Sequence, residues 1–123
     1  MELTNPGPSQ RDVGLTRTSI VGGLRFSQLS PPRQALVRLC QRINYGSVEG
    51  LGVRAAEPMF SPPPRVYVDV KLDTDEAARL EVDLPDFEVP SEVRRLIGLL
   101  EDLKEGTIDR IEIRAGVPRR IIH

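Results

Sequence analysis

The chain repeats itself at an offset of 60 residues, and this repeat constrains its fold more than any other feature of the sequence. Residues 34–58 align without a gap on residues 94–118. Six aligned pairs are identical: Leu36/Leu96, Leu39/Leu99, Gly46/Gly106, Arg54/Arg114, Ala55/Ala115 and Pro58/Pro118. Eight further pairs are conservative, such as Val48 and Ile108. Because each unit is too small to bury its own helix face, we expect the two units to pack together about a pseudo-twofold axis.

The hydrophobic pattern within each unit predicts one helix followed by a β-hairpin. In the first unit, residues 30–60, Ser30 is typical of a helix start, and apolar residues then recur at helical spacing until Gly46. The second unit, residues 90–122, shows the same pattern and its helix is expected to end before Gly106. Alternating apolar residues after each glycine indicate two strands joined by a tight turn, so each unit is predicted to be αββ.

Between the units, residues 65–84 are predicted to form a central hairpin. Valines alternate with polar residues over 65–72, which is the period of a strand with one face on a core, and a second alternating run follows over 80–84. Residues 1–18 are rich in Pro, Gly, Ser and Thr without a period, which predicts a mobile tail ahead of a single domain at 19–123. The predicted fold class is α+β, an antiparallel sheet of about six strands with two helices on one face.

The junction between helix and strand in the first unit has a distinctive sequence. Residues 39–49 read LCQRINYGSVE, and Val53 and Arg54 follow. This run resembles the helix, the Tyr-Gly-Ser-Val turn and the strand of the small YezD-like bacterial proteins, and the second unit keeps Gly106 of that turn. The resemblance is best over residues 36–58. It implies an αββ unit and no activity, because the function of that family is unknown.

Composition excludes several classes of protein. The 17 Lys and Arg residues against 18 Asp and Glu residues leave a formal net charge of −1, which excludes a wholly basic nucleic-acid coat. The single cysteine, Cys40, excludes an internal disulfide and a thiolate metal cluster and fits a reducing cytoplasm. No apolar run approaches the roughly 20 residues of a membrane span. We therefore expect a cytoplasmic protein that does not enter a membrane.

Few residues are candidates for catalysis or metal binding. His123 is the only histidine and lies at the last position, while Cys40 belongs to the apolar stripe of the first helix, so no nucleophile–base couple and no enzymatic activity are predicted. Asp73, Asp75 and Glu76 are weak metal candidates, since their oxygens suit Mg²⁺ or Ca²⁺. Their loop lacks the glycine and distal glutamate of a calcium-binding loop, so a solvated hairpin tip is favoured and no metal or cofactor is predicted.

Arginines supply the candidate binding residues. Five of them fall on the predicted hairpins of the two units: Arg54, Arg110, Arg114, Arg119 and Arg120. A two-stranded basic ribbon can follow phosphates or enter a major groove, although Asp109 and Glu112 are placed to pair with these arginines. The leading hypothesis is a non-enzymatic interaction module that binds a protein partner, or a second copy of itself, through exposed strand edges or the open sheet face. The alternative is a nucleic-acid-binding protein that uses the arginine ribbon.

Overall fold

The computed structural model describes residues 23–73 and 84–123, and within them the fold is α+β, as predicted. A 3-10 turn over Phe26–Gln28 precedes helix α1 (Pro31–Ile43), strands β1 (Gly46–Arg54), β2 (Glu57–Met59) and β3 (Arg65–Val68), helix α2 (Ser91–Leu103), and strands β4 (Gly106–Arg114) and β5 (Val117–Ile122). The predicted tail at 1–18 lies outside the described residues. None of the helices in the described ranges is long and apolar enough to cross a membrane.

The described strands, five in number, form one antiparallel sheet. Strands β1 and β4 pair at its centre, β5 pairs with the other side of β4, and β2 and β3 share the remaining edge of β1. Strand β3 covers Gly46–Glu49, and β2 covers Gly52–Arg54. The long first strand therefore has two short neighbours on one side, while β4 has a single continuous one.

Both helices pack on one face of this sheet. Ser30 starts α1, since its hydroxyl accepts a hydrogen bond from the N–H of Arg33 at 3.4 Å, and Pro31 follows as the first helical residue. The main core lies between helices and sheet and consists of Leu36, Cys40, Ile43, Val48, Leu51, Val53, Leu96, Leu100, Ile108, Ile111 and Ile113. Every strand residue in this core belongs to β1 or β4, so these two strands carry the helices.

The segments that precede the two helices are tied together. The Phe26 N–H donates to the carbonyl oxygen of Phe87 at 2.7 Å, and the two rings stack with centroids 5.0 Å apart. Asp86 accepts a hydrogen bond from the Ser27 N–H at 2.8 Å, which is the main reason why the pKa of its carboxyl lies below the usual value. The chain that returns from β3 is thus anchored before α2 begins.

The two helix–hairpin segments have matching bounds 60 residues apart. Helices α1 and α2 each contain 13 residues, and strands β1 and β4 each contain 9. The two strands pair about a common midpoint, with Gly46 opposite Ile113 and Val53 opposite Gly106. Exchanging β1 and β4 therefore leaves this pairing unchanged, which is the relation expected for two antiparallel strands about a twofold axis.

Hydrogen bonds between the segments are exchanged in the same reciprocal way. The N–H of Ala56, in the first hairpin turn, donates to the carbonyl oxygen of Lys104 at the end of α2, at 2.9 Å. The N–H of Gly116, in the second hairpin turn, donates to the carbonyl oxygen of Asn44 at the end of α1, at 2.8 Å. Each helix end is held by the hairpin turn of the other segment, so neither segment completes its hydrogen bonding alone.

The central hairpin differs from the prediction. Strand β3 ends at Val68 rather than near Leu72, and its valines are not in the core: Val66 is 43% exposed and Val68 54%. The physical reason is that the helices cover β1 and β4, whereas β3 contributes nothing to the main core. The second predicted strand, over 80–84, lies outside the described residues except for Leu84, which is not in a strand. The described strands therefore number five, against about six predicted.

Candidate functional site

The sheet face opposite the helices carries a chain of alternating charges, which we call the ion-pair ladder. It runs across strands β3, β1, β4 and β5 through Arg65, Glu49, Arg110, Glu112 and Arg120. Successive nitrogen–oxygen distances are 3.4, 3.0, 3.4 and 3.9 Å. The register produces it, because Glu49 lies opposite both Arg65 and Arg110, and Glu112 lies opposite Arg120. The glutamates thus neutralise much of the basic charge that the sequence suggested.

At the β3 end of the ladder, Arg65 is held by two neighbours on the same face. A hydrogen bond to the Tyr67 side chain, and a second one to Glu49, raise the pKa of the Arg65 guanidinium above its ordinary value. Both contacts therefore favour the charged form of Arg65. Its side chain is nonetheless mostly exposed, so it can accept a further partner from outside.

The structure brings Arg114, Arg119 and Arg120 together near one end of the sheet, whereas Arg110 lies at the middle of β4. A shallow depression of about 390 Å³ is lined by Arg114, Arg119, Arg120 and Glu112. Arg119 also pairs with Glu92 in the first turn of α2, at 3.4 Å. The pKa of Glu92 is lowered, first by a hydrogen bond from its own backbone N–H and then by Arg119. Three of these four arginines, Arg110, Arg119 and Arg120, therefore already have acidic partners.

Arg54 is the one predicted arginine that the structure places elsewhere. It is exposed at the end of β1, opposite Glu57 in the first hairpin. In the β1–β4 register Arg114 falls opposite position 45, nine residues from Arg54, so the two side chains start roughly 30 Å apart along the strands. Arg54 and Arg114 hold equivalent positions in the alignment, and for that reason an antiparallel pairing sends them to opposite ends of the sheet.

Sequence reasoning missed an exposed apolar segment, residues 65–72, which begins with strand β3 and continues beyond its end. We call this segment, together with the outer side of β3 away from β1, the β3 edge. Seven large hydrophobic side chains are exposed among the described residues, and five of them belong to this edge: Val66, Tyr67, Val68, Val70 and Leu72. No strand of the described ranges pairs with it. The signal for this segment is the alternation of valines, which predicts a strand with one apolar face and does not distinguish a buried face from an exposed one.

The backbone groups of the β3 edge can be assigned from one hydrogen bond. The Asp69 N–H donates to the carbonyl oxygen of Tyr45 at 2.7 Å, on the β1 side. In an antiparallel pair, alternate residues direct both backbone groups to the same neighbour. The backbone N–H and C=O groups of Tyr67 therefore point toward β1, on the same side as the Asp69 N–H. Those of Val66 and Val68 point outward, away from β1. These outward groups are a template for another strand.

A polar groove of about 580 Å³ lies over β1, between β3 and β4. Tyr45, Tyr67, Asp69, Arg110 and Arg114 are among the residues that line it. Its walls carry both signs of charge, so it has no preference for a purely anionic or purely cationic ligand. Tyr45 closes one end, where the Lys71 ammonium lies 5.3 Å from the centre of the tyrosine ring.

The candidates for catalysis and metal binding gain no support from the described residues. Cys40 is 1% exposed, and burial raises the pKa of its thiol to about 12, so the sulfur is protonated at neutral pH and is no nucleophile. Asp73 is exposed, whereas Asp75 and Glu76 lie outside the described ranges. Within those ranges, no three His, Cys, Asp or Glu side chains come together as a metal site would require.

Comparison of the chain with protein-family models, with curated proteins and with solved structures finds no match in any of the three. The resemblance of residues 36–58 to the YezD-like proteins therefore stays a prediction. The chemistry of the described residues is thus the basis on which a function can be assigned.

Proposed function

We propose that this chain is a non-enzymatic interaction module that binds an extended protein segment at the β3 edge by strand addition. The observation that carries the proposal is that, among the described residues, five of the seven exposed large hydrophobic side chains lie in the segment 65–72, whose strand β3 has no partner on its outer side. In strand addition, main-chain hydrogen bonds supply affinity and alternate side chains supply specificity. Val66 and Val68 offer the hydrogen bonds, and the side chains around them offer the apolar contact.

The other two outer strands support this choice because both are guarded against pairing. Strand β2 has only three residues, and the middle one is Pro58. Strand β5 contains Pro118, Arg119 and Arg120. Its pairing with β4 is irregular, with a shift in register between Glu112 and Ile113. Prolines, bulges, short length and charge are the features that protect strand edges from other chains. The β3 edge lacks a proline and a bulge between Arg65 and Val68.

We further propose that the scaffold is a duplicated αββ unit and that the binding edge belongs to the insert between the two copies. The matched helix and strand bounds and the exchanged hydrogen bonds support the duplication. In the second unit β5 runs along β4 for six residues, whereas in the first unit β2 covers three and leaves Gly46–Glu49 open to β3. The buried, unreactive Cys40 fits a location in the cytoplasm.

Val68→Pro tests the proposed function directly. The substitution removes the outward N–H of position 68, while the bonds to β1 are made by the neighbouring residues and stay in place. Val68→Ala is the matched control, since it shortens the same side chain and keeps the N–H. Peptides selected from a random library on the wild-type protein should bind V68P about tenfold more weakly, the loss expected for about one main-chain hydrogen bond, and V68A only a few-fold more weakly.

Circular dichroism melting would show that both variants fold, and the affinities would come from fluorescence anisotropy of the labelled peptides. Selected peptides should also show alternating apolar residues, as a strand does. The proposal is overturned when V68P binds the peptides as tightly as wild type does, or when no library member binds.

The alternative, nucleic-acid binding, has one observation in its favour, the depression lined by Arg114, Arg119 and Arg120. Binding of labelled oligonucleotides there should weaken steeply as salt rises, because phosphate contacts release counterions. It should weaken again when Arg119 and Arg120 are both replaced by Ala. Peptide binding at the apolar edge should change little with salt, so one salt series separates the two functions.

A further inference from the structure

We propose that the occupant of the β3 edge is a second copy of this chain, whose β3 pairs with it antiparallel about a twofold axis at Tyr67. This inference rests on the proposed function of the β3 edge as a strand-addition site and names the partner. The two five-stranded sheets would join into one continuous sheet. Three features of the strand support this: its charges, the direction of its backbone groups, and the failure of the neighbouring registers.

The charges of the strand are self-complementary. Residues 65–69 read Arg-Val-Tyr-Val-Asp. Antiparallel pairing about Tyr67 places Arg65 of each copy opposite Asp69 of the other, so two ion pairs form by symmetry. Val66 of each copy then lies opposite Val68 of the other, and four half-exposed valine side chains cover one another on the same face.

The backbone groups agree with this pairing. Val66 and Val68 direct their N–H and C=O groups outward, so the Val66–Val68 pairs are the hydrogen-bonded pairs of the new ladder. The Arg65–Asp69 and Tyr67–Tyr67 pairs are then the non-hydrogen-bonded ones, in which opposing Cα atoms are only about 4.5 Å apart. Opposite charges therefore meet where side chains from two strands are closest.

Two neighbouring registers also place Val66 and Val68 in hydrogen-bonded pairs, but their charge pairing or their hydrogen bonding is less favourable. Pairing about Val68 places Arg65 opposite Lys71 of the other copy, two like charges, and Tyr67 opposite Asp69. Pairing about Val66 places Pro64 opposite Val68, and proline has no N–H to donate at a position where the ladder needs one. Pairing about Tyr67 is the register that joins opposite charges and uses every outward group of residues 66–68.

The proposed pairing also continues the ion-pair ladder. Arg65 already contacts Glu49 at 3.4 Å, and its guanidinium has donors left for a second carboxylate. In the paired state Asp69 of the other copy is that carboxylate. In each half of the dimer, charges of alternating sign would then run from Arg120 to Arg65 and end on Asp69 of the other copy. The two ladders end on opposite sides of the Tyr67–Tyr67 pair, because Arg65 and Asp69 of one strand are about 13 Å apart. A partner with the same strand therefore fits this edge better than a generic apolar segment does.

Charge reversal tests the pairing. In R65D, positions 65 and 69 both carry carboxylates; in D69R, both carry guanidinium groups. Each variant alone would oppose like charges twice in a dimer, so sedimentation equilibrium should show self-association weakened on the order of tenfold or more relative to wild type. D69R leaves the Arg65–Glu49 contact intact, so it separates the effect of pairing between copies from the loss of that contact.

An equimolar mixture of R65D and D69R is the decisive sample. In the mixed dimer both cross-strand pairs are again of opposite sign, so the mixture should associate much more strongly than either variant alone, and the double variant R65D/D69R should self-associate more strongly than either single variant. Both samples stay weaker than wild type, because the carboxylate introduced at position 65 lies opposite Glu49 of its own chain. Thermal unfolding of each variant would show that the fold is retained.

The outcomes separate this inference from the proposed function. A wild-type protein that stays monomeric at all concentrations, or a mixture that associates no better than its components, overturns pairing with a second copy. Selected peptides that still bind at the edge in that case leave the proposed function standing, with a different partner. Failure of both would overturn the proposed function together with this inference.

Discussion

Replacing Gly46 by Ala is expected to lower the free energy of unfolding by about 3 kcal/mol, the upper range for forcing extra atoms into a packed site. A Cβ atom at this position would lie 2.0 Å from the carbonyl oxygen of Tyr67 and 2.9 Å from Cγ2 of Ile43. The Tyr67 oxygen belongs to the backbone of β3 and cannot rotate away. Strand β3 must therefore move off β1, and denaturant unfolding would measure the cost.

Gly106→Ala is the matched control. Gly106 has nearly the same backbone conformation, with φ at 151° against 158° for Gly46, but its added Cβ would meet only the flexible end of Leu103 at 3.3 Å. We expect a loss of about 1 kcal/mol from the backbone conformation alone. Equal losses for the two variants would show that the close approach of β3 is not what requires Gly46. If the account is correct, G46A also loses peptide binding at the β3 edge, whereas G106A keeps it.

Leu36→Ala and Leu96→Ala should each lower the free energy of unfolding by about 3 kcal/mol, and by nearly the same amount. The two leucines are 2% and 3% exposed, occupy the same position in α1 and α2, and belong to one core. Each truncation leaves a cavity at an equivalent place under its helix. Equality follows from the proposed duplication, because the two units then offer the same surroundings.

The partly buried pair Leu39 and Leu99 provides the control for this prediction. Truncation of either to Ala should cost clearly less than truncation of Leu36 or Leu96, because both already contact solvent. Chemical denaturation of all four variants would measure the costs. A difference of more than about 1 kcal/mol between L36A and L96A would contradict equivalent packing of the two units.

Local signals in the sequence are sufficient to predict the two helices and the two long strands, β1 and β4. Ser30 with Pro31 marked the start of α1, and the glycine at 46 or 106 marked the passage from helix to strand in each unit. Apolar residues at helical spacing identified the faces that now form the main core. These features are encoded by neighbouring residues, so they could be predicted without knowing what packs against them.

The candidate site could not be predicted in the same way, since it depends on which elements meet. Alternation over 65–72 shows that the valines share a face, but it does not show whether a helix covers that face. The equivalence of Arg54 and Arg114 suggested one basic surface, although a symmetric antiparallel pairing separates them. Glu49 pairs with Arg110, and Glu112 pairs with Arg120, because the register of the strands places them opposite each other. A single sequence does not specify that register.

Hydrogen–deuterium exchange, resolved by residue and followed at low and high protein concentration, tests the central claim that the β3 edge is open in the monomer and pairs with a second copy. The account predicts that the Val66 and Val68 amides exchange fast in dilute protein and become protected as concentration rises. The Asp69 amide, bonded to Tyr45, should be protected at both concentrations. Val66 and Val68 amides that are protected equally in dilute protein, or at neither concentration, would contradict it.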